Sequence, residues 1–130
     1  MADPLNRQQR VGRAGEEQAA RYLQQQGCTI LARNFRTRHG EIDLIARERE
    51  VLLFVEIKTC SSDSFGRPES WVTPRKQRRI AGAALTWIHQ HHCENQDCRF
   101  DVIAIDLRQG EAGLMHLRNA FWMSDMAGRF

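Results

Sequence analysis

The chain has 130 residues, of which 42% are hydrophobic and 27% are charged. This size and balance are typical of one globular domain with a sizeable core, and they exclude a fold that depends on disulfide bonds for its stability. The excess of 19 basic over 16 acidic side chains gives a net charge of +3, which permits a nucleic-acid partner without demanding one.

The apolar runs of the chain are short. None approaches the length of a membrane span, and the polar segment from Met1 to Arg10 lacks the apolar stretch of a secretory signal. We therefore expect a cytoplasmic protein with no membrane contact, whose four cysteines are reduced thiols.

The first part of the chain predicts an arm, a helix and a strand. Residues 1–11 are polar and show no period, so we expect a flexible N-terminal arm. Helix-forming residues from Gly12 to Gln26 predict a helix, and Gly27 is a suitable stop. A strand is predicted from Cys28 to Arg36, and it leads into a basic segment. The arginines of this region are Arg33, Arg36 and Arg38.

Two further strands carry ionisable side chains among apolar ones. The run from Gly40 to Ala46 contains Asp43, and the run from Val51 to Lys58 ends in Glu56-Ile57-Lys58. Burying an unpaired charge costs several kcal/mol by order of magnitude, so these groups need partners. A divalent metal ion bound by two carboxylates, with a lysine beside it, would supply them and is an arrangement that cleaves phosphodiesters.

The hairpin register decides whether the two carboxylates meet. A two-residue turn at 49–50 sets Asp43 opposite Glu56 and Glu41 opposite Lys58. The same turn shifted by one residue keeps the first pair on one face, whereas an odd loop would separate the pair unless a bulge intervened. A plain cross-strand ion pair between Glu41 and Lys58 is the alternative to a catalytic role.

A second helix follows a predicted loop over residues 59–73. Thr73 and Pro74 form a typical helix start, and the first turns are crowded with basic side chains. Cations at a helix N-terminus oppose the helix dipole, so either phosphate contact or a simply solvated face accounts for them. These side chains are Arg75, Lys76, Arg78 and Arg79.

The remaining elements complete a single domain. A fourth strand is predicted from Arg99 to Leu107, and a fifth from Leu114 to Arg118. The order of helix, three strands, helix and two strands predicts an α/β fold with a mixed central sheet flanked by helices. We place this domain at residues 12–121, followed by a tail at residues 122–130.

A cluster of histidines and cysteines follows the second helix. The spacing of Cys93 and Cys98, after His89, His91 and His92, differs from that of structural zinc sites. We expect a solvated, polar helix end at this position.

The chain resembles the YraN-like family of small bacterial proteins over residues 12 to 121. The matching segments are Gly15-Glu16, Ala19, Tyr22-Leu23, Asn34-Phe35-Arg36, Gly40-Glu41-Ile42-Asp43-Leu44-Ile45-Ala46, Phe54-Val55-Glu56-Ile57-Lys58-Thr59, Phe65-Gly66, Thr73-Pro74-Arg75-Lys76-Gln77 and Phe100-Asp101-Val102. Asp43 and Glu56-Ile57-Lys58 also resemble the signature of the PD-(D/E)XK nucleases, although Ile42 stands where that signature usually has a proline.

The second resemblance implies a restriction-endonuclease-like core (αβββαβ) and a metal-dependent, structure-selective DNA endonuclease. Asp43, Glu56 and the main-chain carbonyl of Ile57 would hold Mg²⁺ or Mn²⁺, and Lys58 would orient water or stabilise the charge on the phosphate. The helix-first layout is similar to that of archaeal Holliday junction resolvases, which implies a site role for Glu16. Phosphate contacts would come from Arg33, Arg36, Arg38, Arg75, Lys76 and Arg79.

Two other classes of function remain open from the sequence. The domain could bind nucleic acid without cutting it, or it could be an adaptor whose Trp71, Trp87 and Trp122 contact proteins. A homodimer is a further expectation, because the resolvases act as two-fold dimers and because Phe121 and Trp122 lie near the end of the chain.

Overall fold

Seven main elements make up the part of the protein that the computed structural model describes, residues 6–60 and 66–121. In chain order they are α1 (Arg7–Gln25), β1 (Thr29–Thr37), β2 (Gly40–Glu48), β3 (Val51–Cys60), α2 (Pro74–Gln90), β4 (Cys98–Asp106) and β5 (Leu114–Phe121). Two short 3-10 segments, Pro68–Ser70 and Leu107–Gly113, lie between them. Neither α1 nor α2 has the length and apolar character that crossing a membrane requires.

The strands form one mixed sheet in the order β1-β2-β3-β4-β5. The first three pair antiparallel through short turns, as neighbouring strands in a hairpin do. Helix α2 then carries the chain back, so that β4 runs parallel to β3, and β5 pairs antiparallel with β4. The predicted α/β architecture, with helices against a mixed sheet, is confirmed and agrees with a restriction-endonuclease-like core.

Each face of the sheet has its own hydrophobic core. Helix α2 covers a core of large side chains that includes Phe54 and Phe100, and it contributes Ile80. Helix α1 covers the opposite face, where Leu23 packs against the valine and leucine side chains of β2 and β3. Because both faces are covered, the central strands are apolar on both sides, which makes any carboxylate among them conspicuous.

Helix α1 begins five residues before the predicted start at Gly12, so that boundary was wrong. Asn6 caps the helix: its side chain accepts a hydrogen bond from the Gln9 N–H at 2.8 Å, and the Gln9 side chain accepts one from the Asn6 N–H at 3.0 Å. This reciprocal capping box satisfies two amide groups that otherwise lack partners. It lies outside the apolar pattern from which the helix was predicted.

Two strands also run further than predicted. Strand β3 continues to Cys60 because Thr59 and Cys60 pair with Ile105 and Asp106 of β4, although they were assigned to the loop. Strand β5 continues to Phe121, three residues past the predicted end. Residues 61–65 of the predicted loop and the tail at 122–130 lie outside the described residues, as do residues 1–5 of the predicted arm.

The side chain of Phe121 belongs to the core. It is buried and stacks on Phe100 with ring centroids 4.6 Å apart. Its ring is therefore already covered by the chain itself, and the homodimer stays a prediction.

Candidate active site

The β2–β3 hairpin has the first of the turns that the sequence allows. Glu48 pairs with Val51, so the turn consists of residues 49–50, and Leu44 pairs with Val55 in the same register. The next positions of this register are Asp43 and Glu56, which therefore lie opposite each other on neighbouring strands.

The sheet opens at this point. The β2–β3 ladder ends at Leu44 and Val55, whereas β2 stays paired with β1 as far as Gly40 and β3 stays paired with β4 as far as Cys60. We call the opening between residues 40–43 and 56–59 the fork. At its base the Ile57 N–H donates a hydrogen bond of 2.8 Å to the Asp43 carboxylate, so a side chain takes the place of a strand carbonyl.

The alternation of side chains is also broken beside the fork. Ile42 and Ile45 belong to the same core although they are three positions apart. On the neighbouring strand, Asn34 has a left-handed φ of 51°, which asparagine tolerates better than most residues. The backbone is therefore irregular around Asp43, where strict alternation alone would not predict the direction of the side chain.

Asp43 and Glu56 form a close pair of acidic side chains, of which Asp43 is half-buried and Glu56 is buried. Glu56 is only 6% exposed. Burial, and then the negative charge of Glu56, raises the pKa of Asp43 from its ordinary 3.8 to about 7. Burial also raises the pKa of Glu56, although Lys76 and a hydrogen bond with Asp43 act in the opposite direction. Two like charges so placed are stable together only with a proton or a cation between them.

Lys76 supplies one positive charge from α2. Its Nζ lies 2.5 Å from a carboxylate oxygen of Glu56. Burial of the ammonium lowers the pKa of Lys76, but the hydrogen bond and the charge of Glu56 outweigh it and raise that pKa. The Thr73 hydroxyl accepts a hydrogen bond from the Lys76 N–H, which anchors the first turn of the helix. The sequence predicted phosphate contact for Lys76 and contains no signal for this ion pair.

Glu16 faces the pair from α1. Its negative charge contributes to the raised pKa of Asp43, and its carboxylate accepts a hydrogen bond of 3.0 Å from the Asn34 side chain. The neighbouring Glu17 instead pairs with Arg33 at 2.8 Å. The structure thus separates the two glutamates, and it adds Asn34 as a residue that the sequence analysis did not assign to the site.

Lys58 stands two residues after Glu56 on β3 and is half-buried. Its ammonium forms no hydrogen bond or ion pair with a described residue. The alternative pairing of Lys58 with Glu41 was wrong: Glu41 pairs with Arg36 at 3.2 Å, because β2 follows β1 away from β3 at the fork.

Comparison with known proteins identifies the family. The model of the uncharacterised protein family UPF0102 matches residues 15–105, well over half of the chain. The chain belongs to the UPF0102 family. The matched range contains every residue of the fork, both glutamates of α1 and the first turns of α2.

Individual UPF0102 proteins are similar over almost their whole length. The one from Pelobacter propionicus is 49% identical over 124 residues, which cover 92% of this chain and 86% of that protein. The relative from Trichlorobacter lovleyi is 47% identical, covering 87% of this chain and 91% of its own length. The relative from Geobacter sulfurreducens is 44% identical, with 85% and 88% covered. The predicted small bacterial family is confirmed.

The arginines of this UPF0102 protein that were predicted to contact phosphates divide into two groups. Arg33 and Arg36 are held by acidic partners. In contrast, Arg38, Arg75 and Arg79 are exposed and form no ion pair with a described residue. Because the backbone of Arg79 lies against Gly40, the β1–β2 turn with Arg38 lies next to the start of α2. The free cations therefore collect beside the fork.

A buried network supports α1 on the other side of the sheet. Asp101 is fully buried and accepts hydrogen bonds from Arg99, His116 and the Asn119 N–H. Burial raises the pKa of Asp101, but these hydrogen bonds outweigh it and lower that pKa. The Tyr22 hydroxyl of α1 hydrogen-bonds with His116 at 2.8 Å. The family motif residues Tyr22 and Asp101 thus tie α1 to β4 and β5.

Two of the three tryptophans are unsuited to protein contacts. Trp71 and Trp87 are 6% and 8% exposed and lie in the core under α2. Their prediction as adaptor residues was wrong, and Trp122 lies outside the described residues. The histidines at the end of α2 (His89, His91 and His92) are exposed, as expected for a solvated helix end, and the ring of His91 stacks on Trp87 with centroids 3.6 Å apart.

Proposed function

We propose that this UPF0102 protein is a metal-dependent nuclease of the PD-(D/E)XK superfamily that hydrolyses DNA phosphodiesters at the fork. One observation carries the proposal: the carboxyl groups of half-buried Asp43 and buried Glu56 face each other where two central strands separate. The Lys76 ammonium offsets only one of these two carboxylates, and two like charges at this position favour a divalent cation.

The chemistry of the donor set suits Mg²⁺ or Mn²⁺. Asp43, Glu56 and the main-chain carbonyl of Ile57 offer only oxygen atoms, which these hard ions prefer. Among the described residues no three His, Cys, Asp or Glu side chains are arranged as a ready metal cage, so a cation here would retain water ligands, as Mg²⁺ usually does. When bound, the ion would acidify a water and screen the charge on the phosphate.

The other side chains have distinct roles in this proposal. Lys58 is free of ion pairs in the described chain, so its ammonium is available to stabilise the charge that develops on the phosphate. Glu16 is held by Asn34 on the side of Asp43, where it would fix waters or a second cation. Glu17 has no such role, because it pairs with Arg33.

The substrate would be DNA of a particular shape. The cations beside the fork suit phosphate groups, which determine affinity and orientation but carry no sequence information. The described elements include no helix or β-ribbon that projects to read base edges, so a junction, flap or nick is favoured over a sequence. Such a substrate implies a cytoplasmic location and, for a four-way junction, a homodimer with two active sites.

A cleavage panel tests the proposal. Duplex, single-stranded, nicked, flap and four-way DNA, together with RNA, are incubated with Mg²⁺ or Mn²⁺. Asp43→Asn, Glu56→Gln and Lys58→Met should each lower the rate by at least about 100-fold, the scale of removing one charge-stabilising group, while DNA binding persists. The matched control Glu17→Gln should cleave like the parent protein.

Three results would contradict the proposal. Cleavage that survives Glu56→Gln would come from another site or a contaminant. DNA binding with no cleavage of any substrate would indicate a binding module that keeps the fold. If the protein neither binds nor cleaves any of these nucleic acids, a protein-interaction adaptor becomes the favoured function.

A further inference from the structure

The ammonium of Lys76 sits on the carboxylate that a divalent cation would need. We propose that Lys76 and the cation compete for Glu56, so that the ion pair holds the carboxylates closed until a cation and a DNA phosphate replace it. This inference rests on the proposed function and adds a means of regulating the same site.

The exposure of the two partners makes the ion pair exchangeable. The Glu56 side chain is 8% exposed, whereas that of Lys76 is 53% exposed. The carboxylate is therefore fixed in the sheet, while the lysine reaches it from solvent on a flexible four-carbon stem. Lys76 can leave without disturbing the core, but Glu56 then remains as a buried charge that needs another cation.

The balance of charge favours the exchange. The pair of Asp43 and Glu56 carries up to two negative charges, and the single ammonium of Lys76 compensates one of them. A divalent cation compensates both carboxylates at once. The Lys76 ammonium contacts the Oε1 oxygen of Glu56, and a cation on either oxygen of this carboxylate would repel it at short range. Binding of the metal ion therefore favours withdrawal of Lys76.

The start of α2 offers the displaced lysine a new partner. Arg75 and Arg79 are exposed on the same turns of the helix and form no ion pair in the described chain, and backbone N–H groups at a helix start attract anions. A phosphate bound there would accept the ammonium of Lys76. Phosphate binding and cation binding then assist each other, and such coupling is reciprocal.

Calorimetric titration with Mn²⁺ alone tests the competition without relying on activity. Lys76→Met removes the charge but keeps a stem of similar length, and it should tighten Mn²⁺ binding on the order of tenfold, within the usual range of coupling between sites. Lys76→Arg keeps a charge that can pair with Glu56 and should bind like the parent protein. Arg78→Met is the matched control, because it removes one exposed charge from the same helix.

The outcomes separate this inference from the proposed function. Mn²⁺ binding that disappears in Glu56→Gln but is equally tight in the parent and Lys76→Met overturns the competition and leaves the metal site standing. An equal gain in Arg78→Met also overturns it, because the effect is then one of net charge. If Glu56→Gln leaves Mn²⁺ binding unchanged, both the competition and the proposed metal site are overturned. Circular dichroism melting confirms that each variant is folded.

Discussion

Gly40 of β2 lies directly against the backbone carbonyl of Arg79 in α2. A Cβ atom on Gly40 would overlap the carbonyl oxygen and carbon of Arg79. This contact sets the distance between α2 and the sheet. Because Arg79 is only three residues after Lys76, the same distance determines whether that lysine can reach Glu56.

Replacing Gly40 by alanine should therefore weaken both the fold and the site. The added methyl group meets backbone, which cannot rotate away, and overpacking of this kind costs about 1–3 kcal/mol of the free energy of unfolding. Urea denaturation measures this loss. The matched change Gly12→Ala adds a methyl where nothing lies within 4 Å, and it should stabilise the helix by about 0.5–1 kcal/mol. Equal stability of the two variants would contradict the close approach.

Gly15 plays the same part for α1. A Cβ atom there would overlap the Cγ2 methyl of Thr59 at the end of β3. Gly15→Ala should lower the free energy of unfolding by about 1 kcal/mol, because the cost of overpacking against a side chain is partly offset by the helix preference of alanine, and it should displace the adjacent Glu16. Thr59→Ser removes the offending methyl, so the double variant should regain most of the loss. Additive effects of the two changes would show that the residues do not touch.

The raised pKa of Asp43 predicts a particular pH dependence of stability. The Asp43 carboxyl group has a pKa of about 7 in the folded protein and of about 3.9 in the unfolded chain. The stabilisation of the folded state by this proton is therefore complete below pH 4 and is lost as the pH rises through 7. Asp43→Asn lacks this titration. The free energy of unfolding of Asp43→Asn, relative to that of the parent, should therefore rise by about 2–3 kcal/mol between pH 5 and pH 8.

Urea denaturation of both proteins at the two pH values measures the difference, in which most other titrations cancel. Mn²⁺ at pH 8 should reduce the advantage of Asp43→Asn, because the cation stabilises only the intact carboxylate pair. A constant difference in stability across this range would place the pKa of Asp43 at an ordinary value.

The arginines at the start of α2 should affect affinity without affecting sequence preference. Arg75→Gln and Arg79→Gln should each flatten the plot of log affinity for DNA against log salt by about one unit, since each removes one phosphate contact. Arg47→Gln is the control, because Arg47 is an exposed arginine near the far end of β2. Fluorescence anisotropy at several salt concentrations gives the slopes. Unchanged slopes in both α2 variants would place the DNA elsewhere.

Local pattern predicted the strands that form the candidate site but left open which turn joins them. The short turn and the period of the side chains limit the register of the β2–β3 hairpin, and the structure selects the turn at 49–50, which brings Asp43 opposite Glu56. Both signals act between residues close in sequence, so they are readable without the fold. The start of α1 was missed because its capping residue Asn6 lies outside the apolar pattern.

Only the tertiary structure decided which charges meet. The pairing of Lys76 with Glu56 depends on the height of α2, and the choice of Glu16 over Glu17 depends on how α1 packs against β1 and β3. Those distances follow from close approaches at Gly40 and Gly15. A sequence by itself determines the period and the turns of this protein, but contacts between distant residues depend on packing that no local pattern encodes.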